Sequence, residues 1–260
     1  MRAAITQYYP AESALHRADP RAKFVAVTAL AIALFTRDSF VALAVYGAAG
    51  AVAFALSRVP GRWLWRAMRP ILWLIGLTFV AQVLFAPGDP FFTLGPLELS
   101  EEGLRLAAYL SVRLIVLILL GSVLTLTTPP VALTDALAWL GRPLRRLRVP
   151  SDELALMVTI ALRFIPTLLA ELDAIMRAQR ARGADFSSGG LVRRARALIP
   201  VLVPLFVVSF RRADELALAM EARCYTPGVA RTRLHPLHAR PADAVLLVVC
   251  AGVIVAASVL

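Results

Sequence analysis

Two arginine-containing helix ends are the segments of this chain best suited to chemistry. Ala181-Arg182-Gly183 and Ala222-Arg223-Cys224 each close a long helical pattern with an arginine and then a small residue. An arginine in the last turn complements the negative end of the helix dipole. The repetition instead favours docking onto a partner, because the guanidinium fork binds a carboxylate bidentately and is weakly hydrated. From spacing alone, both interpretations remain open.

The other reactive side chains do not form a recognisable catalytic or metal site. Lys23 is the only lysine and does not follow a glycine-rich turn, so no nucleotide-binding P-loop is predicted. Cys224 and Cys250 lie in unlike contexts, and no disulfide is expected between them. His235 and His238 flank a proline without a nearby cysteine or carboxylate cluster, which is a weak metal signal. The sequence therefore predicts no catalytic residue, cofactor or metal.

The composition of the chain indicates that the two arginine endings belong to a membrane protein. The chain has 260 residues, 59% of them hydrophobic, against about 45–50% in soluble domains. Residues 1–23 lack the apolar core of a signal peptide, so we expect the first span to direct insertion. The composition predicts an all-α integral membrane protein with about five transmembrane helices. The predicted spans lie near Phe24–Thr36, Ser39–Ser57, Pro70–Ala86, Leu104–Leu126 and Ala242–Leu260.

The distribution of basic residues predicts the orientation of these spans. Lysine and arginine collect in residues 2–23 and 58–69, whereas residues 87–103 carry acidic residues and no basic ones. Because short basic loops stay in the cytoplasm, the N-terminus and residues 127–240 should be cytoplasmic. Arg113 lies about two turns into the fourth block and needs a partner within the protein, and its role stays open.

The predicted cytoplasmic segment contains one short and two long helices. Thr127-Thr128-Pro129-Pro130 ends the fourth span, because two prolines cannot continue a helix. A short basic amphipathic helix should follow over Leu133–Leu147. Apolar residues then recur every three or four positions from Met157 to Met176, and a second long helix should run over Leu191–Arg223. The chain thus divides into membrane spans (1–126), coupling helices (127–241) and a last span (242–260).

Two other functional classes are less well supported by the sequence. An integral membrane enzyme acting at the cytoplasmic face would need convergent carboxylates, histidines or a metal cluster. A nucleic-acid binder is suggested by the pI of about 11.0, but the charge follows the positive-inside pattern and no binding motif is present. The acidic residues of the long helices, Glu171, Asp173, Asp214 and Glu215, more simply pair with arginines such as Arg177, Arg211 and Arg212.

Three stretches of the chain resemble one known family. The N-terminal segment around Leu15-His16 and Asp19-Pro20-Arg21, the Thr127-Thr128-Pro129 entry to the coupling segment, and the two arginine endings are similar to signatures of the T component of energy-coupling factor transporters. The likeness covers nearly the whole chain. Cys224 stands where that family usually has glycine.

The resemblance implies a subunit without catalysis or a cofactor of its own, in the plasma membrane of a prokaryote. Its partners would be two cytoplasmic ABC-type ATPases, which bind ATP and magnesium, and a membrane substrate-binding S component for a vitamin or a transition metal. Partner recognition would involve no nucleic acid. The resemblance assigns ATPase docking to Ala181, Arg182, Gly183, Ala222, Arg223 and Cys224, and a structural role in the N-terminal arm to His16, Asp19, Pro20 and Arg21.

Overall fold

The computed structural model forms two compact units. The first comprises the described parts of residues 3–139 and 235–260, and the second comprises those of residues 140–234. The predicted basic residues at 142–148, together with His235 and His238, lie outside the described residues. The structure describes residues 8–85, 90–94, 97–141, 151–186, 188, 190–229 and 240–259.

The described chain is helical apart from one short hairpin, which confirms the predicted fold class. The hairpin lies in the loop that the sequence predicts to be external, and it pairs β1 (Pro90–Leu94) with β2 (Leu97–Ser100) in antiparallel register. The helices are α1 (Ala14–Arg17), α2 (Pro20–Ala33), α3 (Phe40–Ser57), α4 (Gly61–Phe85), α5 (Glu101–Thr127), α6 (Pro130–Leu140), α7 (Ser151–Ala181), α8 (Leu191–Ala222) and α9 (Pro241–Val259).

Side-chain caps fix where three helices of the first unit begin. Asp19 accepts a hydrogen bond from the Arg21 N–H at the start of α2, and Pro20 occupies its first helical position. Ser39 caps α3, and Ser100 caps α5 by accepting from the Gly103 N–H at 2.9 Å. These caps satisfy N–H groups that have no partner inside the helix.

Five described helices are long and apolar enough to cross a membrane. This set differs from the five predicted spans at one helix. Four of them, α3, α4, α5 and α9, coincide with predicted spans, and the fifth runs over Glu153–Ala181 in α7. The predicted first span is α2, which has 14 residues and falls below the length required. The cytoplasmic location of α7 stays a prediction.

Helix α2 nevertheless runs beside α9 from one polar end to the other. At its start, the Asp19 N–H donates to Asp243 Oδ1 at 2.7 Å. Beyond its far end, Arg37 Nη2 donates to the Ser258 carbonyl oxygen at 2.7 Å. Helix α2 and the turn that follows it therefore lie alongside the 19 residues of α9, in the same direction.

The core of the first unit lies between α2, α3, α5 and α9. Gly50 of α3 lies against Leu119 and Leu120 of α5, where an added Cβ would come within 3.0 Å of Leu119 Cδ2. Such close helix contact at a small residue is typical of membrane bundles. The buried core residues are Leu30, Ala33, Leu34, Ala42, Leu43, Tyr46, Tyr109, Val116, Leu120 and Ala257.

The second unit consists of α7 and α8 packed antiparallel. Arg212 of α8 forms an ion pair with Glu171 of α7 at 3.7 Å, so one of the predicted acidic residues pairs with an arginine, across the two helices. Nearer the hairpin end, Gln179 Nε2 donates to the Pro200 carbonyl oxygen at 3.3 Å. At the opposite end, the Gly228 N–H donates to Glu153 Oε1 at 2.9 Å. The three contacts keep one register along the pair.

Candidate docking site

The first arginine ending closes α7 with a hydrogen-bonded cap. The Gly183 N–H donates to the Arg180 carbonyl at 3.0 Å, and the Ala184 N–H donates to the Gln179 carbonyl at 2.9 Å. These two bonds define a Schellman motif, which requires a left-handed residue after the helix. Gly183 fills that position with φ +85°, a conformation that glycine adopts without the steric cost of a Cβ.

The second arginine ending has the same geometry at the end of α8. The Cys224 N–H donates to the Glu221 carbonyl at 2.9 Å, and the Tyr225 N–H donates to the Met220 carbonyl at 3.0 Å. Cys224 adopts φ 56° at the position that glycine occupies in the first ending. The two helices therefore end in the same cap motif, with Arg182 and Arg223 at equivalent positions.

The six residues of the two endings, hereafter the tips, are all exposed to solvent. Within the described residues, neither the Arg182 nor the Arg223 guanidinium has a hydrogen-bond or ion-pair partner in the chain. Arg180 differs, because its guanidinium lies 5.9 Å from the centre of the Phe186 ring. Two capped helix ends with unpaired arginines are suited to binding carboxylates on another protein.

The antiparallel packing puts the tips at opposite ends of the helix pair. Arg182 lies at the hairpin end, where Gln179 contacts Pro200. Arg223 lies at the other end, five residues before Gly228, which contacts Glu153. At a rise of 1.5 Å per residue, the tips are separated by about 35 Å along the helix axes. Two separate partner surfaces can therefore reach them at once.

Large apolar side chains cover much of the outer surface of this unit. On α8, Phe206 and Phe210 are 60% and 68% exposed, and on α7, Met157 is 62% exposed. Exposed apolar side chains of this size are suited to contact with lipid or with another protein. The second unit thus offers a polar contact at each tip and an apolar surface between them.

The N-terminal signature residues lie together in the first unit, apart from the tips in sequence. His16 Nε2 donates to the Tyr9 carbonyl oxygen at 2.9 Å, and its Nδ1 lies 2.8 Å from Ser13 Oγ. Asp19 and Pro20 start α2, and the Arg21 guanidinium lies 5.2 Å from the centre of the Trp139 ring in α6. These contacts join the N-terminal segment to α2 and α6, and the structural role of the four residues stays a prediction.

Arg113 has the partner that its depth in the fourth span requires. Its side chain is 11% exposed, and its Nη2 and Nε donate to the Leu34 carbonyl oxygen at 2.8 and 3.1 Å. It also pairs with Asp38 at 3.2 Å. The guanidinium lies 4.6 Å from the centre of the Phe35 ring. Arg113 therefore satisfies the end of α2 and holds the turn between α2 and α3.

Sequence reasoning missed Asp243, which is 4% exposed and contacts Asp19 of the N-terminal signature. The available signal was a carboxylate in the first turn of an otherwise apolar span, which is costly without a partner. Within the described residues, no group of three or more histidine, cysteine, aspartate or glutamate side chains is placed to hold a metal ion.

Comparison with known proteins relates the chain to one group of transporter subunits. The family model described as cobalt transport protein (CbiQ) matches residues 11–235. The energy-coupling factor transporter transmembrane protein EcfT of Thermosediminibacter oceani is 48% identical over 239 residues, covering 92% of this chain and 90% of the relative. The EcfT proteins of Thermanaerovibrio acidaminovorans and Clostridium kluyveri are 49% and 44% identical, over 89% and 98% of this chain and 86% and 95% of theirs.

Proposed function

Since this chain belongs to the CbiQ family and is a transmembrane T component of an energy-coupling factor transporter, we propose that it couples two cytoplasmic ATPases to a membrane substrate-binding S component. The ATPases would be of the ABC type and would hold ATP and magnesium, so this subunit needs no cofactor. The N-terminus and the second unit would lie in the cytoplasm of a prokaryotic cell, because the basic loops favour that orientation.

The observation that carries this proposal is the repeated cap geometry at Arg182 and Arg223. A dipole effect accounts for arginine near a helix end, but it does not require an exposed guanidinium without a partner on each of two matching caps. The separation of about 35 Å suits one ATPase at each tip. Docking by both tips would give a bivalent attachment, which is stronger than either contact alone.

Coupling would depend on the antiparallel packing of α7 and α8. When ATP brings the two ATPases together, force applied at the tips would move the helix pair as one body, because the Glu171–Arg212 ion pair and the Gln179–Pro200 hydrogen bond link the two helices. The exposed apolar surface, including Phe206 and Phe210, would transmit this motion to the S component. The cargo, a vitamin or a transition metal, would be selected by the S component.

Charge reversal at both tips tests the docking contacts. In membranes that contain the whole transporter, we expect Arg182→Glu with Arg223→Glu to release the ATPases at physiological salt while the chain stays inserted. Each single reversal should weaken ATPase retention by roughly tenfold, about 1.4 kcal/mol, because the second tip still holds. The measurement is the amount of ATPase that co-purifies with the tagged chain.

The matched control is Arg163→Glu with Arg211→Glu, which reverses exposed arginines on the same two helices away from the tips. This variant carries the same change in net charge and should retain both ATPases. A full ATPase complement on the tip variant, or equal loss from the control, would show that the tips do not dock the ATPases.

A further inference from the structure

A buried carboxylate in the last helix joins the starts of two membrane helices. Asp243 Oδ2 accepts a hydrogen bond from the Arg240 N–H at 2.6 Å at the start of α9, which is one of the two bonds of a capping box. Its Oδ1 accepts from the Asp19 N–H at 2.7 Å, at the start of α2. One side chain thus supplies an acceptor to two helix N-termini from distant parts of the sequence.

The same place holds the only lysine of the chain. Lys23 is 3% exposed, and its Nζ donates to the Thr127 carbonyl oxygen at 3.1 Å. A buried ammonium is costly unless opposite charge lies nearby. Asp19 and Asp243 supply negative charge close by: the Asp19 carbonyl, one turn earlier, accepts from the Lys23 N–H at 3.1 Å, and Asp243 contacts the Asp19 N–H. We call the group formed by Asp19, Lys23, Asp243 and the Thr127 carbonyl the clasp.

The clasp satisfies a carbonyl that α5 leaves free where it ends. Pro129 and Pro130 carry no N–H, so α5 cannot continue, and its last carbonyls need donors from elsewhere. The Tyr9 N–H donates to the Leu126 carbonyl at 3.1 Å, and Lys23 serves the next one, at Thr127. Both donors come from the N-terminal segment, so that segment fixes the backbone at the end of α5.

We propose that Asp243 is a positioning residue: by holding the start of α2 against α9, it places Lys23 on the Thr127 carbonyl and so fixes the backbone where α5 ends and α6 begins. The importance of this geometry for transport rests on the proposed function, but the clasp itself does not. In Asp243→Asn, Lys23 loses opposite charge, and one of the two N–H groups bound by Asp243, that of Asp19 or that of Arg240, loses its acceptor, because the amide NH2 cannot accept. The Lys23 contact with the Thr127 carbonyl then weakens, and α6 becomes less firmly held.

Hydrogen exchange of the α6 amides tests the proposal in the full chain, purified in lipid nanodiscs. We expect Asp243→Asn to speed exchange across Thr134–Leu140 by roughly tenfold or more, because local opening becomes easier. The control is Asp173→Asn, which removes an exposed carboxylate from α7 and should leave α6 exchange at the wild-type rate. Equal exchange in the two variants would overturn the proposal.

A double variant separates positioning from charge compensation. Lys23→Met with Asp243→Asn removes both buried charges, so the thermal midpoint should return toward that of the wild type. We expect α6 exchange to remain fast, because no ammonium then binds the Thr127 carbonyl. If exchange recovers together with stability, Asp243 only balances charge and the proposal is wrong. The double variant also decides the question if Asp243→Asn does not accumulate.

The hydrogen-exchange result does not depend on whether the tips dock ATPases. Exchange in α6 is measured on the chain alone, whereas failure of the proposed function appears as ATPase retention that does not depend on Arg182 and Arg223. Fast α6 exchange in the Asp243 variants would therefore support the clasp even if the tips do not bind ATPases.

Discussion

Cys224 and Gly183 occupy equivalent positions and both have a left-handed backbone conformation. The free-energy cost of that conformation differs between them. A residue with a Cβ is destabilised in the left-handed region by about 1 kcal/mol relative to glycine. At Gly183, an added Cβ would meet no atom within 4 Å, so any cost of a side chain there comes from the backbone alone. The second cap is therefore the more strained of the two.

Opposite substitutions at these two positions should have opposite effects. We expect Cys224→Gly to stabilise the end of α8, and Gly183→Ala to destabilise the end of α7, each by about 1 kcal/mol or less. Hydrogen exchange of the cap amides, Tyr225 in one case and Ala184 in the other, measures each effect locally. Slower exchange at Ala184 in Gly183→Ala, or faster exchange at Tyr225 in Cys224→Gly, would contradict the cap assignment.

At the scale of single residues, the sequence predicts what is local and misses what is distant. Arg182 and Arg223 are recognisable because a helix end and its small cap residue are adjacent in sequence. The partners of Arg113 are 75 and 79 residues away, and those of Asp243 include Asp19, 224 residues away. Apolar periodicity gives no information about contacts between residues so far apart in sequence. The sequence therefore predicts that Arg113 needs a partner, but it does not identify that partner.

At the scale of elements, apolar blocks predict where spans lie better than where helices begin. Helix α4 begins at Gly61, nine residues before the predicted start at Pro70, because its first turns carry arginine and tryptophan and are not uniformly apolar. Pro70 lies inside the helix rather than at its boundary. Helix α2 begins at Pro20, earlier than predicted, because Asp19 caps it there.

The close packing of α3 on α5 depends on a small residue. We expect Gly50→Leu to force these helices apart and to destabilise the first unit by about 1–3 kcal/mol, because the new side chain would overlap Leu119 and Leu120. Thermal unfolding of the full chain in detergent measures this effect. Gly76→Leu in α4 is the matched control, since an added Cβ there meets nothing within 4 Å. A similar midpoint for both variants would contradict the packing described.

At the scale of the whole molecule, the contacts of the first unit define which ends share a side of the membrane. Asp19, Thr127 and Asp243 belong to the clasp, so the N-terminal arm, the end of α5 and the start of α9 lie on one side. Arg37 links the turn after α2 to the C-terminal end of α9 on the other side, and Arg113 links the end of α2 to the middle of α5. The distribution of arginine predicts that the clasp side is cytoplasmic.

The native thiol of Cys224 is exposed at the second tip, so its labelling can test both the membrane orientation of the chain and the docking of the ATPases. The other cysteine, Cys250, is only partly accessible and lies within α9, so Cys224→Ser provides the background for any labelling of it. A membrane-impermeant maleimide therefore reports on one tip without an engineered cysteine.

The most direct measurement is labelling of Cys224 in oriented membrane vesicles that contain the chain with or without its ATPases. We expect labelling in inside-out vesicles when the chain is alone, strong protection when the ATPases are present, and no labelling in right-side-out vesicles. Labelling from the outer face, or equal labelling with and without the ATPases, would contradict the account of this chain as a coupling subunit with cytoplasmic docking tips.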